Sequence, residues 1–445
     1  LEGFAIALSI VDLRGVESIE ELKEKLKEKA KRVSKGEWIL GRNWDQESFK
    51  EKRYPTRWDL DEVSTENPIF IVRVCGHVAI ANSKALRIAG ITRETPNPPG
   101  GMIGRDENGE PNGILWENAL MLVRSKVPEP TPQQLAHLIT KAQHEMLSYG
   151  ITTVASVSAP PILVKTLNRI YNSGMLKIRV RLYINSDLLN NITSLGIESG
   201  FGNDYIKIQG VKTFMDGSLG GRSAALRQPY NDDPSTSGML ILDGEKLASI
   251  LKHAVQNNLD VAIHAIGDRA IEEAINGVVK SQVDPKHVRF EHVSVTPPDI
   301  VDKLEKLNPL ALVVQPHFRV TDWWIKERLG VERAKWTYTF KTLMSRGLIL
   351  AGSSDSPVEP VNPWFGVWAA VTRGNSERLN VREALNIYTI GGSIALNDRL
   401  IGRIRKGCYA DFIVLDRDPF RINVEDLKHV RPKMTIVGGE IVYRA

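Results

Sequence analysis

Lys212, His264, His292 and Asp355 each stand at or just past the end of a short apolar run, in IQGVKTFMDGS, LDVAIHAIGD, HVRFEHV and LILAGSSDSP. Two imidazoles, a carboxylate and an amine placed this way form a metal-site pattern. Neutral imidazole is the commonest protein ligand for metal ions, and His264 and His292 end consecutive runs, which sets them apart from a histidine with an ordinary structural role. Asp355 alone would read as a helix cap; beside two histidines it is a candidate metal ligand and general base. Lys212 alone would read as an exposed cation, but a lysine inside a buried apolar strand must be paired, neutral or modified. Addition of CO₂ to its amine would give a carbamate, an anionic oxygen ligand. His137, His144, His253, His287 and His429 lie on helix-like or turn stretches, and a structural role is expected of each.

The runs that carry these groups read as β-strands, and helical periodicity separates them, as in DRAIEEAINGVVKSQ and PPDIVDKLEKL. Strands alternating with helices predict an α/β fold with a parallel sheet. If that sheet closes into a (β/α)8 TIM-like barrel, polar side chains at the C-terminal ends of different strands converge on one mouth. This texture starts near Gly150, where ITTVASVS, KIRVRLYIN, the Lys212, His264 and His292 runs, LALVVQPHF and the Asp355 run give seven strands. A closed barrel needs one strand more, expected either before residue 150 or upstream of Leu1. Nearer the start, residues 18–33 predict a charged amphipathic helix and residues 69–75 (IFIVRVC) a buried strand. TPNPPGGMIGRDENGEPNG at 95–113 predicts a hairpin turning at Glu107-Asn108-Gly109. Residues 10–145 are therefore assigned to a large insertion or lid within a barrel domain of residues 1–400. From 401 to 445 the texture changes to short strands between Gly and Asp turns, as expected of a small β-sandwich module.

A chain of 445 residues suits one barrel with a smaller module. No apolar run approaches the roughly 20 residues of a membrane span, so no membrane association is predicted. Fifty-eight basic against 53 acidic residues leave a net charge of +5 without a basic stripe, which argues against a nucleic-acid partner. The two cysteines, Cys75 and Cys408, are too far apart for a Cys-x-x-Cys pair and too few for a disulfide framework. With no secretory signal visible, a cytoplasmic setting is expected, and a homodimer is the expected oligomer on general grounds.

In its longer motifs the chain resembles the amidohydrolase superfamily, in the branch that includes N-substituted formamide deformylase. The matching stretches are HVAIANSKAL at 77–86, GGMIGRDENGEPNGILWENA at 100–119, GITTV at 150–154, VKTFMDGSLGGRSAAL at 211–226, AIHAIGDRAI at 262–271, RFEHV at 289–293, QPHF at 315–318 and AGSSDSPVEPVNP at 351–363. The tail GRIRKGCYADFIVLD resembles the C-terminal strands of the β-sandwich that such enzymes pack beside the barrel. The resemblance implies that His264 and His292 bind metal, that Lys212 is a carbamylated bridging ligand, and that Asp355 is the metal-proximal acid/base. It implies one or two divalent ions, zinc first, with Mn, Fe, Co and Ni compatible with the ligand types. The implied reaction is hydrolysis of C–N bonds in small N-acyl or N-formyl amides, the ion activating water and polarising the carbonyl. Asp355 would take the proton of the attacking water and pass it to the leaving nitrogen.

One departure stands out: the family carries a His-x-His pair at the end of its first barrel strand, and this sequence has none. Related sequences run from that pair into a Leu-Glu-Gly-like stretch, so the pair and further sandwich strands, about 60 residues in all, are expected upstream of Leu1-Glu2-Gly3. His77, His317 and Arg222 of the DGSLGGR loop are expected to contact a small-molecule substrate, where glycines let backbone approach a ligand. Trp323, Trp324, Trp364 and Trp368 are candidates for an apolar pocket. Two alternatives stay open on the residues alone: a lyase barrel that uses Lys212 as a Schiff-base amine, and a metal-free barrel acting as a binding scaffold.

Overall fold

The computed structural model describes residues 1–74, 76–372 and 376–445; Cys75, and with it the end of the 69–75 strand, lies outside the described residues. The chain forms two compact units, Ala5–Gln134 and a larger one made of Leu1–Phe4 with Leu135–Ala445.

The smaller unit is built on a six-stranded mixed sheet of β1 (Val11–Asp12), β2 (Ile39–Trp44), β3 (Ile69–Arg73), β4 (Val78–Ala81), β5 (Gly101–Arg105) and β6 (Pro111–Glu117), in the order β1-β2-β3-β4-β6-β5. The charged helix predicted over 18–33 runs from Ile19 to Ala30 and starts where the Ser18 side chain accepts a hydrogen bond from the Glu21 N–H at 3.2 Å. Its Ile19, Leu22 and Leu26 recur at helical spacing, so one stripe enters a core shared with Trp44, Phe49 and Ile71. The β5–β6 hairpin turns as predicted, with Gly109 at φ 79°, a backbone that glycine takes without steric cost.

The larger unit is a curled parallel sheet, the wall of a TIM-like barrel, with order β14-β13-β12-β11-β10-β8-β7. Its strands are β7 (Thr153–Ala159), β8 (Arg179–Asn185), β10 (Ile206–Phe214), β11 (Asp260–Ala265), β12 (Val288–His292), β13 (Ala311–Val314) and β14 (Leu350–Gly352), the seven runs read from the sequence. A two-residue strand, β9 (Phe201–Gly202), pairs antiparallel with β10 and had no sequence signal. Helices follow the strands and bury one face each. In Gly244–Gln256, for example, Asp243 caps the first turn and Leu247, Leu251 and Ala254 are buried. No helix among the described residues is long and apolar enough to cross a membrane.

Register decides what the barrel encloses. Lys212 pairs with Ala262 and Ala262 with Arg289, while Phe214 pairs with His264 and His264 with Glu291. In-register neighbours share a face, so Lys212, His264, Arg289 and Glu291 belong to one inner surface. Charges placed there must be paired. Arg289 donates to Glu291 at 2.6 Å and to the Ala395 carbonyl at 3.1 Å. Lower in the barrel, Arg181 meets Asp398 at 2.8 Å and Arg179 meets Asp411 at 2.6 Å. These bonds tie the segment after residue 392 to the N-terminal ends of the strands, where barrels keep residues that serve stability. The tail then ends in an antiparallel sheet of β15 (Phe412–Leu415), β16 (Pro432–Val437) and β17 (Glu440–Arg444), a small β module.

Candidate metal and catalytic site

Lys212 lies near the end of β10, three residues after a bulge that shifts the register against β8 between Ile208 and Gly210. Gly210 allows that geometry, because a Cβ there would overlap the Asp260 carbonyl of β11. Bulges re-aim the side chains that follow them. The Lys212 residue is 4% exposed and its Nζ has no hydrogen-bond partner, resting 4.7 Å from the centre of the Phe214 ring. Burial pushes the amine down to about 8, against the pull of the Glu291, Asp355 and Asp216 carboxylates. Roughly a tenth of it is then neutral at pH 7, the form that adds CO₂.

His264, on β11, has Nε2 2.9 Å from the Gly217 carbonyl and 3.4 Å from Asp216 Oδ1. A carbonyl only accepts, so Nε2 of His264 carries a proton, and in the neutral form of the ring Nδ1 is the bare nitrogen. His292 ends β12 one residue after Glu291, and strict alternation would turn it to the opposite face. Left-handed backbone at His292 (φ 72°) and Val293 (φ 47°) breaks the alternation, and the two imidazole centroids lie 4.4 Å apart. Such backbone costs about 1–2 kcal/mol per non-glycine residue. Burial, followed by the neighbouring His264 and Lys212 charges, holds His292 well below the ordinary histidine range, so its ring is neutral.

Asp355 follows β14 and is also left-handed, at φ 52°. Solvent reaches it at the mouth, yet the surrounding protein strips enough hydration to raise its carboxyl to about 6, opposed by the Lys212 charge. Buried Glu359 lies within range of the Asp355 charge and accepts a hydrogen bond from the Thr321 hydroxyl.

The DGSLGGR loop forms a fixed wall. Buried Asp216 accepts hydrogen bonds from three main-chain N–H groups, those of Ala225, Ile266 and Gly267, at 2.8–3.0 Å. Leu219, Leu226 and Tyr230 pack with Ile266, Val295 and Leu329 behind it.

Lys212, His264, His292 and Asp355 thus stand at the C-terminal ends of β10, β11, β12 and β14. Arg222, in the same wall, is left-handed at φ 51°, and its guanidinium pairs with Asp232 at 2.9 Å. His317, after β13, is fully buried, and burial lowers it to about 4. The Asn362 main chain lies near enough to oppose that shift, yet neither ring nitrogen completes a hydrogen bond. His77 belongs to the smaller unit, its Nδ1 2.9 Å from Glu117. Of the tryptophans, Trp364 is buried, Trp323 is 74% exposed, Trp324 packs against the loop cluster and Trp368 donates to Glu425 at 3.0 Å.

Four residues at this mouth went unnoticed in the sequence. Glu291 had a readable signal, since Arg289 and Glu291 stand two apart inside an apolar strand and must share a face. Gln315, Ser353 and Glu359 had none, being polar residues in loops, where polarity is ordinary.

Among the described residues no three His, Cys, Asp or Glu side chains group closely enough to hold an ion by themselves. The donors that do meet are His264 with a bare Nδ1, neutral His292 and the unpartnered Lys212 amine. Two imidazoles and, after CO₂ addition, a carbamate oxygen suit a zinc-type divalent ion.

A model of the amidohydrolase family matches residues 2–443. The YtcJ protein of Bacillus subtilis (strain 168) is 35% identical over 97% of this chain and 85% of its own length. N-substituted formamide deformylase of Arthrobacter pascens is 25% identical over 96% of this chain and 82% of its own length. The crystal structure of an uncharacterized metal-dependent hydrolase from Pyrococcus furiosus superposes with a TM-score of 0.82 at 36% identity, covering 94% of this chain and 85% of that one.

Proposed function

The chain belongs to the amidohydrolase family, and from that premise we propose that it hydrolyses C–N bonds of small N-acyl or N-formyl amides. The proposed cofactor is a divalent ion, zinc first, held by His264, His292 and carbamylated Lys212, with Asp355 as acid/base. The observation that carries this reading is the buried Lys212 amine, unpartnered, beside two imidazoles. A lysine left so costs stability unless something completes it. When bound, the ion would supply activation of water and polarisation of the scissile carbonyl.

The chain's own residues do the rest. The neutral Lys212 amine forms a bond to the carbon of CO₂ and releases one proton to solvent, which leaves an anionic carbamate. Asp355, raised to about 6, is mostly ionised at pH 7 yet basic enough to take a proton from the attacking water. It returns that proton to the nitrogen as the C–N bond breaks, because an amide nitrogen leaves poorly unless protonated. His317, neutral and with both nitrogens unpartnered, is assigned to the substrate's amide group. The N-formyl class is favoured by the deformylase relative's name.

The test is hydrolysis of a panel of N-formyl and N-acyl amides after loading with Zn²⁺ and bicarbonate. Turnover that is lost in Asp355→Asn, together with metal content lost in His264→Ala and His292→Ala, is the expected result. No turnover on the panel and no bound metal would defeat the reading. Borohydride trapping of a carbonyl compound on Lys212 would replace it with the Schiff-base alternative.

A further inference from the structure

His264 takes its tautomer from a main-chain carbonyl, which side-chain substitution does not remove. His292 takes its tautomer from a side chain. Its Nδ1 lies 3.0 Å from Gln315 Oε1, at the end of β13. Gln315 is 2% exposed, and its Nε2 lies 3.0 Å from Ser353 Oγ and 3.4 Å from the Val313 carbonyl.

The Val313 carbonyl decides which way the amide faces. It can only accept, so the NH₂ end of Gln315 must point to it, and the opposite, carbonyl end must point to His292. An acceptor at that position requires a proton on His292 Nδ1. A neutral imidazole has one N–H, so Nε2 is left bare. Ser353 then takes a hydrogen bond from the same NH₂, and its own main-chain N–H donates to Val314 at 2.9 Å. Ser353 lies two residues before Asp355.

We propose that Gln315 is a positioning residue that fixes His292 in the tautomer protonated on Nδ1, with Ser353 holding the Gln315 amide in place. One hydrogen-bonded chain, His292 to Gln315 to Ser353, thereby joins the ends of β12, β13 and β14 and ties a candidate ligand to the strand that carries the acid/base. The role in metal binding rests on the reading of His292 as a ligand; the tautomer itself does not. Without the Gln315 carbonyl, the proton is free to move to Nε2, the nitrogen that has to be bare to bind an ion. Partners that orient a ligating histidine typically contribute about 10–100-fold in metal affinity.

The test uses the full chain, labelled with ¹⁵N-histidine and stripped of metal, with long-range ¹H–¹⁵N correlation to locate the His292 proton. Chelator-competition titration with Zn²⁺ follows. In the unsubstituted protein the proton is expected on Nδ1. Gln315→Leu should move it partly or wholly to Nε2 and weaken Zn²⁺ binding about 10–100-fold. Gln315→Glu, which keeps an accepting oxygen in place, should restore the Nδ1 proton. Should Gln315→Leu not fold, Ser353→Ala carries the test, with a mixed tautomer expected from a loosened amide. A proton on Nε2 in the unsubstituted protein, or a Gln315→Leu protein with an unchanged tautomer and Zn²⁺ affinity, overturns the proposal. A chain that takes up no Zn²⁺ while His292 keeps its proton on Nδ1 overturns the metal reading and leaves the tautomer assignment standing.

Discussion

Lys212→Met should make the metal-free chain more stable and, at the same time, inactive. Burial lowers the amine from 10.5 to about 8, and at ~1.4 kcal/mol per tenfold that gap amounts to as much as about 3 kcal/mol. The unfolded chain keeps this lysine protonated up to about pH 10.5, whereas the folded chain does so only up to about pH 8. The destabilisation is therefore in full force below pH 8 and fades as the pH climbs from 8 to 10.5. Methionine fills the lysine stem's space beside Phe214 without a charge. Guanidinium unfolding should be followed in CO₂-free buffer with chelator, since cyanate in urea would itself carbamylate lysines. The variant should gain most at pH 7 and little near pH 10, and bicarbonate should alter the parent protein but not the variant. A Met variant less stable than the parent at pH 7, or one that retains turnover, would mean that Lys212 is a satisfied structural cation and that the argument from its missing partner is wrong.

Three further outcomes follow from packing and charge. Gly366→Ala, in the helix Pro363–Thr372, would ordinarily gain about 1 kcal/mol; here the new Cβ overlaps the Tyr388 hydroxyl and lies 2.9 Å from His317 Cε1, so a loss of about 1–3 kcal/mol is expected. Tyr388→Phe, which deletes a buried hydroxyl without a partner but leaves the ring carbon 2.8 Å from the new Cβ, should recover part of that loss, and additive effects in the double-mutant cycle would refute the contact. Asp398→Ala leaves the buried Arg181 guanidinium without its carboxylate and should lower stability by about 3–5 kcal/mol, a figure that a guanidinium midpoint within error of the parent would contradict. His287 is raised above its ordinary value by Asp260 at 2.8 Å, so its contribution is complete below the unfolded pKa and is lost as the pH rises through the folded one. His287→Gln should accordingly cost about 1 kcal/mol at pH 5.5 and much less at pH 9, and an equal cost at both would rule out the charged pair.

The strand ladder was legible because each run from ITTVASVS to LILAGSS is apolar and rich in β-branched residues, and because helices with a clear apolar stripe separate the runs. Lys212, His264, His292 and Asp355 were legible as candidate site residues for a related reason: an ionisable group at the end of an apolar run stands at the polar rim of a barrel. The two-residue strand β9 is too short to carry periodicity. The ion pair of Arg181 with Asp398 joins residues 217 apart, and no local pattern announces such a partner. Gln315 was hidden differently. In QPHF it is an ordinary polar residue after a strand, and only the positions of Val313, Ser353 and His292 around it give its two ends distinct duties.

What stayed hidden at the site has a common physical cause. Regular strands in register alternate their side chains and leave the end residues in parallel rows, an arrangement that does not bring groups from four strands around one point. At the candidate site the barrel departs from regularity at three places: the bulge ahead of Lys212, the left-handed pair His292-Val293, and left-handed Asp355. Each departure is unfavourable taken alone, by about 1–2 kcal/mol for the left-handed residues, and each falls at or just before a candidate site residue. The neighbouring structure that holds them in place is well paired, through the Asp216 main-chain bonds, the Arg289–Glu291 pair and the His292–Gln315–Ser353 chain. Residue types at strand ends therefore point to a candidate site, whereas its geometry is written in backbone exceptions that depend on partners brought in from elsewhere in the fold.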